Sequence, residues 1–344
     1  MRLWFGRRSI VGCDVGRSAV KLVQLVRRSG KWHVVHAELH ELPPGAEDPD
    51  VWPSTEAIGL ALQRPWLKGE QIAVSLHAHP PVVRHVELPA IPDREVREAL
   101  RWETKKATSL NIDDVLIDYV ASRARGQSGE RKMAVTMVVA DRHAVETELR
   151  QYQQAGLSVN AIDINPLALH QVAHRVGADE TGVGFLAFVD IGASHTDVEI
   201  IKHGSLRFSR TIATGGHALT QTLMQKFGID AADAEGIKRE QGLTGKAKIL
   251  EVLGPEVDKM IVEIQRSIDY YRAQARDGTL EHLLLAGGTP LMPGFVEYVG
   301  TFFDAKVALC NPFDGMDCQA NGALTQTMAP RFASSVGLAL RGQA

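Results

Sequence analysis

Cysteine is scarce in this sequence: of 344 residues only Cys13, Cys310 and Cys318 carry a thiol. Three scattered thiols are too few for a disulfide framework, so a reducing compartment fits the composition. Long hydrophobic runs are missing as well, because no stretch approaches the roughly 20 apolar residues that a membrane-spanning helix needs. We therefore expect a globular cytoplasmic protein.

Neither sign of charge is in large excess. Lys and Arg total 38 and Asp and Glu total 41, for a formal net charge of −3. The charges are spread along the chain, so no basic stripe offers a surface for nucleic acid. The sequence also lacks Cys-x-x-Cys and His-Glu-x-x-His metal spacings, the P-loop lysine motif, Gly-x-Ser-x-Gly and a dinucleotide fingerprint. These absences argue against structural metal sites, Walker-type nucleotidases, hydrolases and dehydrogenases.

What the sequence does contain is an internal repeat. The first copy is a β-type run at residues 9–16 followed by runs at 19–26 and 32–39, and the second copy has runs at 185–192, 196–201 and 206–212. In each copy the first run ends in Asp, an aliphatic residue and Gly: Asp14 to Gly16 and Asp190 to Gly192. The copies are about half the chain apart, which predicts two duplicated α/β domains with mixed sheets.

Helical and β-type patterns alternate between and after the repeats. In the first half we predict a loop at 41–53, a helix at 55–63 and a strand at 71–76. For residues 82–154 we predict a strand, a helix at 93–106, two strands and a second helix, with a polar hairpin loop at 126–129. Together these elements would form a compact inserted module. In the second half we predict helices at 216–227, 231–240 and 255–276, then a strand at 281–286.

Each repeat places a β-turn-β hairpin directly after its aspartate. Such a hairpin can turn several backbone N–H groups toward a phosphate, and glycine permits close approach. The first hairpin offers Gly16, Arg17 and Ser18 with Lys21 following, and the second offers Gly192, Ala193, Ser194, His195 and Thr196. Asp14 and Asp190 would face each other across a cleft, where a hydrated Mg²⁺ bridging phosphates would suit both.

Each of these features has a simpler explanation when taken alone. A single Asp-x-Gly is usually a β-turn, and Lys21 could be a solvated strand residue. The matching positions in the two halves favour phosphate binding.

Two further glycine pairs could contact a ligand. Gly287-Gly288-Thr289 follows an apolar run, and a flat base or a phosphate could lie against its backbone, although by itself the motif is more often a tight strand-to-helix turn. Gly215-Gly216 opens a helix and could present N–H groups at its positive end, although simple helix capping is the alternative.

Together these motifs resemble those of the actin, sugar-kinase and heat-shock chaperone superfamily. Ile10 to Gly16 with Lys21 resembles its first phosphate motif, Val189 to Thr196 its second, and Leu285 to Thr289 its adenosine motif. Within the superfamily, local phrases resemble a family of cytoplasmic type IV pilus assembly proteins, which is itself similar to the cell-division protein FtsA. These phrases lie at residues 94–103, 149–169, 214–220, 263–268, 311–313 and 335–340.

The resemblance implies an α/β, duplicated actin-like (ribonuclease H-like) two-domain fold with mixed sheets and a small inserted α+β module. The first domain would comprise residues 1–80 and 156–177, the module 81–155, and the second domain 178–344, with a helical nucleotide-side subdomain at 216–276. ATP and Mg²⁺ are the implied ligands.

The resemblance also assigns roles to individual residues. Asp14 and Asp190 match the aspartates that hold Mg²⁺ through water. The residues that match nucleotide contacts are Gly16, Ser18 and Lys21, Gly192 and Thr196, Gly215 and Gly216, Glu235 and Lys238 beside ribose and adenine, and Gly287 and Gly288 as the base platform. Glu235 and Lys238 are also spaced as a surface ion pair on a helix would be.

One departure from the superfamily concerns hydrolysis. Related ATPases place an acidic residue or glutamine near the proline of the connecting helix, where it positions the attacking water. Here Asn165 precedes Pro166, with Asp163 two residues earlier. Asparagine can orient a water but cannot accept its proton. We therefore predict ATP binding with weak or absent hydrolysis.

The resemblance further implies that the N-terminal cytoplasmic tail of PilN docks beside the inserted module. The protein would then link inner-membrane assembly proteins to the pilus motors, touch the membrane only through partners, and possibly self-associate. Residues 104–111 replace the proline-containing stretch of the family, which affects the docking details. Two alternatives remain, a small-molecule kinase and an FtsA-like filament-forming protein, of which the latter would bring a longer chain and an amphipathic C-terminal helix.

Overall fold

The computed structural model contains two five-stranded sheets, one in each half of the molecule. The structure describes residues 10–42, 55–76, 81–107, 111–125, 131–177, 184–245, 247–275, 278–318 and 326–341. The strands of the first sheet are β1 (Ile10–Val15), β2 (Ala19–Arg28), β3 (Lys31–Glu41), β4 (Gln71–Ser75) and β8 (Val159–Asp163). Those of the second are β9 (Phe185–Ile191), β10 (Thr196–Lys202), β11 (Ser205–Ile212), β12 (Leu280–Gly287) and β13 (Lys306–Leu309).

The two sheets have the same strand order. The first runs β3-β2-β1-β4-β8 and the second β11-β10-β9-β12-β13. In each, three antiparallel strands joined by hairpins are followed by two parallel strands. This equivalence confirms the predicted duplication and the mixed sheets.

The inserted module contains a three-stranded antiparallel sheet and two helices, the first of which packs on the sheet. It comprises β5 (Val82–Pro89), α2 (Asp93–Ala107), β6 (Val115–Arg125), β7 (Arg131–Asp141) and α3 (Arg142–Gln154), with strand order β5-β7-β6. Val96 and Leu100 of α2, one turn apart, pack on Met133, Val135 and Met137 of β7. The predicted hairpin loop at 126–129 lies outside the described residues, as does most of the loop at 41–53.

The remaining helices cover the sheets. They are α1 (Thr55–Leu62), α4 (Asn165–Arg175), α5 (Gly216–Phe227), α6 (Ala231–Glu240), α7 (Ala247–Ala275), α8 (Phe295–Gly300) and α9 (Ala333–Leu340). Helix α7 begins eight residues before its predicted start and contains Pro255, where the sequence prediction began the helix. Ile249 and Leu253 are buried in the second domain, and their burial offsets the backbone hydrogen bond that proline removes.

Helix α9 extends from the second half of the chain to the first sheet. We assigned residues 178–344 to the second domain, but α9 returns to the first sheet and packs against β1 and α4. A glycine allows close approach at each contact: a Cβ on Gly12 would lie 1.9 Å from the Ser335 carbonyl oxygen, and one on Gly337 would lie 2.1 Å from that of Ala168. All eight residues of α9 are buried, and Ala333, Val336 and Ala339 belong to a core cluster that contains residues of both sheets, so the helix helps to join the two halves.

None of the helices within the described part of the chain combines the length and the apolar composition needed to cross a bilayer.

The Gly12 contact gives a direct test of this joint. We expect Gly12→Ala to lower the free energy of unfolding by about 2–4 kcal/mol, because the new methyl group would meet backbone atoms that cannot move aside. Urea denaturation followed by circular dichroism measures the change. Gly236→Ala is the control, since a Cβ there meets nothing within 4 Å, and it should be neutral or stabilising by up to about 1 kcal/mol. Equal effects of the two substitutions would contradict the packing described.

Candidate functional site

The two predicted phosphate hairpins share one backbone geometry. The Gly16 N–H donates to the Ala19 carbonyl and the Gly192 N–H donates to the His195 carbonyl, each at 3.0 Å. Each turn therefore closes directly after β1 or β9, so Asp14 and Asp190 occupy equivalent places near the ends of equivalent strands.

Asp14 is paired with Lys21 across the first hairpin. The two residues are opposite each other in the β1–β2 register, and Lys21 Nζ donates to Asp14 Oδ2 at 2.8 Å. Asp14 is only 4% exposed. A Cβ on Gly16 would lie 2.9 Å from Lys21 Nζ, so glycine at this position leaves room for the ammonium group. The structure thus places a cation beside the first carboxylate.

Asp190 is half-buried in the protein, and its pKa reflects the surroundings. Burial raises the pKa of Asp190 to about 6, and the neighbouring carboxylates of Asp197 and Asp14 add to the rise, against the opposing effects of Asn165 and Lys21. Since Asp14 and Lys21 of the first half act on Asp190 of the second, the two halves bring these groups together. A carboxylate perturbed in this way is typical of a functional site.

Asn165 ties the two halves together beneath these carboxylates. Asn165 Nδ2 donates to Asp190 Oδ2 at 3.2 Å and to Asp197 Oδ2 at 2.6 Å. The Ser334 hydroxyl at the start of α9 donates to Asn165 Oδ1 at 2.5 Å and lies 3.2 Å from Asp190 Oδ2. Thr211 Oγ1 in turn donates to Asp197 Oδ1 at 2.6 Å.

This network uses the hydrogen-bonding groups that Asn165 would need to orient a water molecule. Both amide N–H groups have a carboxylate acceptor, and the amide oxygen has a hydroxyl donor. Asn165 can orient a water only after one of these bonds is exchanged. Sequence reasoning missed Asp197 and Ser334. Asp197 lies opposite Asp190 in the β9–β10 register, at the place that Lys21 holds opposite Asp14 in the first repeat, so the repeat itself carried a signal for it. No local pattern connects Ser334 to Asp190.

The second hairpin uses its carbonyl groups to hold the start of α5. The Gly192 and Ala193 carbonyls accept the N–H groups of Gly216 and His217 at 2.9 and 2.8 Å. A Cβ on Gly215 would lie 2.7 Å from both carbonyl oxygens, so this contact requires glycine. The N–H groups of Gly216 and His217 are therefore not directed at a ligand, which corrects our prediction that the helix opening presents them.

Two hydroxyl groups of the second hairpin are also engaged within the protein. Thr196 is fully buried, and its hydroxyl donates to the Thr214 carbonyl at 2.8 Å. Ser194 Oγ lies 2.8 Å from His195 Nδ1. The predicted phosphate contact of Thr196 does not match this geometry, because its side chain anchors the turn before α5.

Glu235 and Lys238 form a partly buried network on α6, where the sequence also allowed a surface ion pair. Lys238 is 9% exposed, and its Nζ lies 2.5 Å from Glu235 Oε1. The same ammonium donates to Thr220 Oγ1 at 2.8 Å and to the Gly216 carbonyl at 3.1 Å. The network thus fixes α6 against the start of α5, beside the second hairpin. Lys238 and its hydrogen bonds hold the pKa of Glu235 below its ordinary value, against the effect of burial.

The glycines after β12 lie against the same site. Gly287 has φ +92°, and a Cβ there would lie 2.3 Å from the Ile191 carbonyl oxygen and 2.7 Å from Asp190 Oδ1. Thr289 Oγ1 donates to the Gly192 carbonyl at 3.1 Å. Gly287 is therefore required for β12 to pass beside Asp190. Gly288 comes next in the chain, and Thr289 after it makes the contact with the second hairpin.

The carboxylates suit a hydrated cation better than a protein-enclosed metal. Among the residues that the structure describes, no cluster of three or more His, Cys, Asp or Glu side chains could hold a metal ion. Asp14 and Asp190 would leave most of the coordination shell to water and phosphate, which is the arrangement Mg²⁺ prefers. The residues present therefore fit Mg²⁺ carried by a phosphate ligand.

A pocket of about 330 Å³ lies on the other side of the Asn165 network. The first domain, the module and the second domain all contribute to it. Its lining includes Leu76, Val82, Arg84, Pro166, Asp197 and Thr211. Since Asn165 and Asp197 line this pocket and Asn165 also contacts Asp190, one side chain borders both the pocket and the carboxylate pair.

Comparisons with known proteins agree with the sequence resemblance. A family model described as type IV pilus assembly protein PilM matches residues 12–343. The chain is 25% identical over 286 residues to the cell division protein FtsA of Neisseria meningitidis, covering 72% of this chain and 67% of that protein.

Two solved structures show the same fold. One is a PilM–PilN type IV pilus biogenesis complex, with TM-score 0.83 and 22% identity, covering 98% of this chain and all of the other. The other is MreB5 of Spiroplasma citri bound to AMPPNP, with TM-score 0.51 and 12% identity, covering 98% and 97%. The predicted actin-like fold and the family resemblance are confirmed.

The raised pKa of Asp190 predicts a pH-dependent effect on stability. The folded pKa is about 6 against an ordinary 3.8, so the folded protein binds the proton more tightly, and ionisation of Asp190 lowers stability as pH rises through this window. In buffer with a chelator, Asp190→Asn should raise the free energy of unfolding at about pH 7.5 by about 2 kcal/mol, and the gain should shrink as pH falls from about 6 to about 4. Urea titrations across this range measure it. A gain in the free energy of unfolding that is absent, or that does not vary with pH, would contradict the raised pKa of Asp190.

Proposed function

We propose that this chain, which belongs to the type IV pilus assembly protein PilM family, binds Mg-ATP between its two halves and works as a nucleotide-dependent assembly protein. The observation that carries the proposal is the placement of Asp14 and Asp190, with Lys21, at equivalent strand ends facing one cleft. Two like charges held together in a low-dielectric site favour a bound cation. A Mg-nucleotide supplies that cation.

The phosphates would lie between the two hairpins. Arg17 and Ser18 would offer backbone N–H groups on one side, with Gly16 closing the turn and the charge of Lys21 beside them, and Ala193 and Ser194 would face them from the other half. Arg17 also lowers the pKa of His217, together with burial and Lys238, so its charge reaches across the cleft toward the start of α5. The related fold of MreB5, bound to AMPPNP, supports a nucleotide here.

The remaining predicted contacts belong to the nucleoside end. Glu235 and Lys238 would flank the ribose and the base, and Gly287 and Gly288 would form the platform against which the base lies. Mg²⁺, held by Asp14 and Asp190 through water, would neutralise charge on the phosphates. Thr196 and the N–H groups of Gly216 and His217 would support this site without touching the ligand.

We propose that turnover is slow or absent. Asn165 occupies the place of the water-positioning residue, but its amide is bonded to Asp190, Asp197 and Ser334. An amide cannot accept a proton from water, and here it would also have to give up a buried hydrogen bond to orient one.

The partner we propose is the N-terminal cytoplasmic tail of a PilN-type membrane protein. The similar structure of a PilM–PilN complex supports this partner. The pocket between β5, α4 and β11 lies beside the module, where the tail is expected to dock, and it combines the apolar side chains of Leu76, Val82 and Pro166 with polar ones. Through this tail the protein would sit in the cytoplasm at the inner membrane, link membrane assembly proteins to the pilus motors, and associate with itself when assembled.

Calorimetric titration of Mg-ATP tests the proposal. The wild type should bind with one site per chain, and Asp14→Ala should lower the affinity by roughly tenfold or more, since the variant leaves Lys21 and the metal without their carboxylate. Asp269→Ala is the matched control, because Asp269 is an exposed carboxylate on α7.

The same titration with a synthetic PilN-type tail peptide tests coupling. Peptide affinity that rises with ATP would support a nucleotide-dependent assembly protein. A folded wild type that binds no ATP would refute the proposed function, and robust phosphate transfer to a panel of sugars and small acids would favour a kinase instead.

Turnover has its own measurement. Under single-turnover conditions, phosphate release from bound ATP should be slower than ATP dissociation, because Asn165 is committed to the carboxylates. Trapping of phosphate by a fluorescent sensor follows the first rate, and chase with unlabelled ATP follows the second. Release faster than dissociation would show that the network does not restrain the attacking water.

A further inference from the structure

A carboxylate at the end of β3 joins the first domain to two arginines of the second half. Glu41 accepts hydrogen bonds from both terminal nitrogens of Arg331, at 2.7 and 3.1 Å. Arg239 of α6 lies 3.6 Å from the same carboxylate. Arg331 holds the pKa of Glu41 below its ordinary value, with Arg239 and Lys21 adding to the effect and burial opposing it. The two-bond contact with Arg331 is the strong form of an Arg–carboxylate pair.

Glu41 and its arginine partners lie beside both the phosphate end and the nucleoside end of the proposed nucleotide site. The next residue, Leu42, donates its N–H to the Ser18 carbonyl in the first hairpin at 2.9 Å. A Cβ on Gly288, at the proposed base platform, would lie 3.7 Å from Arg331 Nε. Arg239 is also 3.8 Å from Glu235, which pairs with Lys238. Glu41 therefore connects the phosphate hairpin of one half with the nucleoside elements of the other.

We propose that Glu41 gates nucleotide exchange, an inference that rests on the proposed function. Arg239 lies on α6, and Arg331 lies in the 329–332 turn that packs on β12 before α9 begins, so the ion pair links the halves at the nucleoside end, and we expect it to open when a nucleotide enters or leaves. The Arg331 side chain is 10% exposed and that of Glu41 is 42% exposed, so water screens the arginine less than the carboxylate. The floor of the cleft is joined separately by Asn165 and α9, so opening at the mouth need not disrupt the joint.

A gate and a direct ligand contact have different kinetic signatures. Removing a ligand contact raises the dissociation rate and the Kd together. Removing a gate raises association and dissociation alike and leaves the Kd nearly unchanged. This distinction makes the role of Glu41 measurable without knowing the bound geometry.

The experiment is stopped-flow binding of fluorescent mant-ATP with Mg²⁺ to wild type, Glu41→Gln, Arg331→Gln and the double variant. We expect both rate constants to rise roughly fivefold in each single variant, with the Kd changed less than about twofold. The double variant should be no faster than the single ones, because all three remove the same pair.

Glu38→Gln is the matched control. Glu38 lies on the same strand and also accepts a hydrogen bond from an arginine, Arg64 at 2.9 Å, but this pair stays within the first domain. Its rates should equal those of the wild type. Rates in Glu41→Gln that match Glu38→Gln, or a rise in dissociation and Kd alone, would overturn the gate.

Hydrogen exchange without nucleotide separates this inference from the proposed function. Glu41→Gln should speed exchange in α6 and around Ser18, whereas Glu38→Gln should not. If the wild type bound no mant-ATP, the proposed function would fail, and unchanged exchange in Glu41→Gln would independently reject the pair as a connection between the halves.

Discussion

Two like-charged carboxylates held close together are the constraint on which the rest of this structure depends. Asp14 and Asp190 come from equivalent strands of a duplicated fold, and the pKa of Asp190 rises to about 6 because burial and its carboxylate neighbours disfavour the charge. Such a placement opposes stability unless a cation or a proton is present. Lys21 beside Asp14 and the amide of Asn165 beside Asp190 reduce the cost, and a metal-bound phosphate ligand would reduce it further.

The connections between the halves are arranged around these carboxylates at two levels. Beneath them, Asn165 and Ser334 contact Asp190, and α9 passes from the second half to the first sheet across Gly12. At the mouth, Glu41 spans the halves through arginines. A nucleotide between the two levels would contact both halves at once, which is the differential interaction that a ligand needs to shift the relation between two domains. The pocket beside Asn165 and Asp197 borders the same network.

The sequence predicted most of the fold and indicated the central residues of the candidate site, whose role in binding stays a prediction. The duplicated strand triplets, the module and the positions of Asp14, Lys21 and Asp190 followed from local pattern, since strand periodicity and hairpin turns are encoded in neighbouring residues. The start of α7 was missed because Pro255 suggests a helix boundary, whereas burial of Leu253 carries the helix through it. The hydrogen bond of Thr196 to the Thr214 carbonyl could not be inferred, because a motif shows which residue is present but not which way its side chain points.

Contacts between distant segments were beyond the reach of local pattern. Ser334 is 144 positions from Asp190, and Arg331 is 290 from Glu41. No periodicity links such pairs, and only the return of α9 to the first sheet brings them together. For the same reason, the hydrogen bonds of Asn165 to Asp190, Asp197 and Ser334 could not be inferred from its place before Pro166. Its weakness as a catalytic group could be inferred, because an asparagine amide cannot accept a proton from water.

The most direct test of the account is a crystal structure of the protein with Mg²⁺ and the non-hydrolysable analogue AMPPNP. We expect the phosphates to lie between two segments, Gly16–Ser18 and Gly192–Ser194. The waters of the metal should contact Asp14 and Asp190, and the base should lie near Gly288. Crystals grown at saturating ligand with no nucleotide in the cleft, or with the nucleotide bound elsewhere, would contradict it.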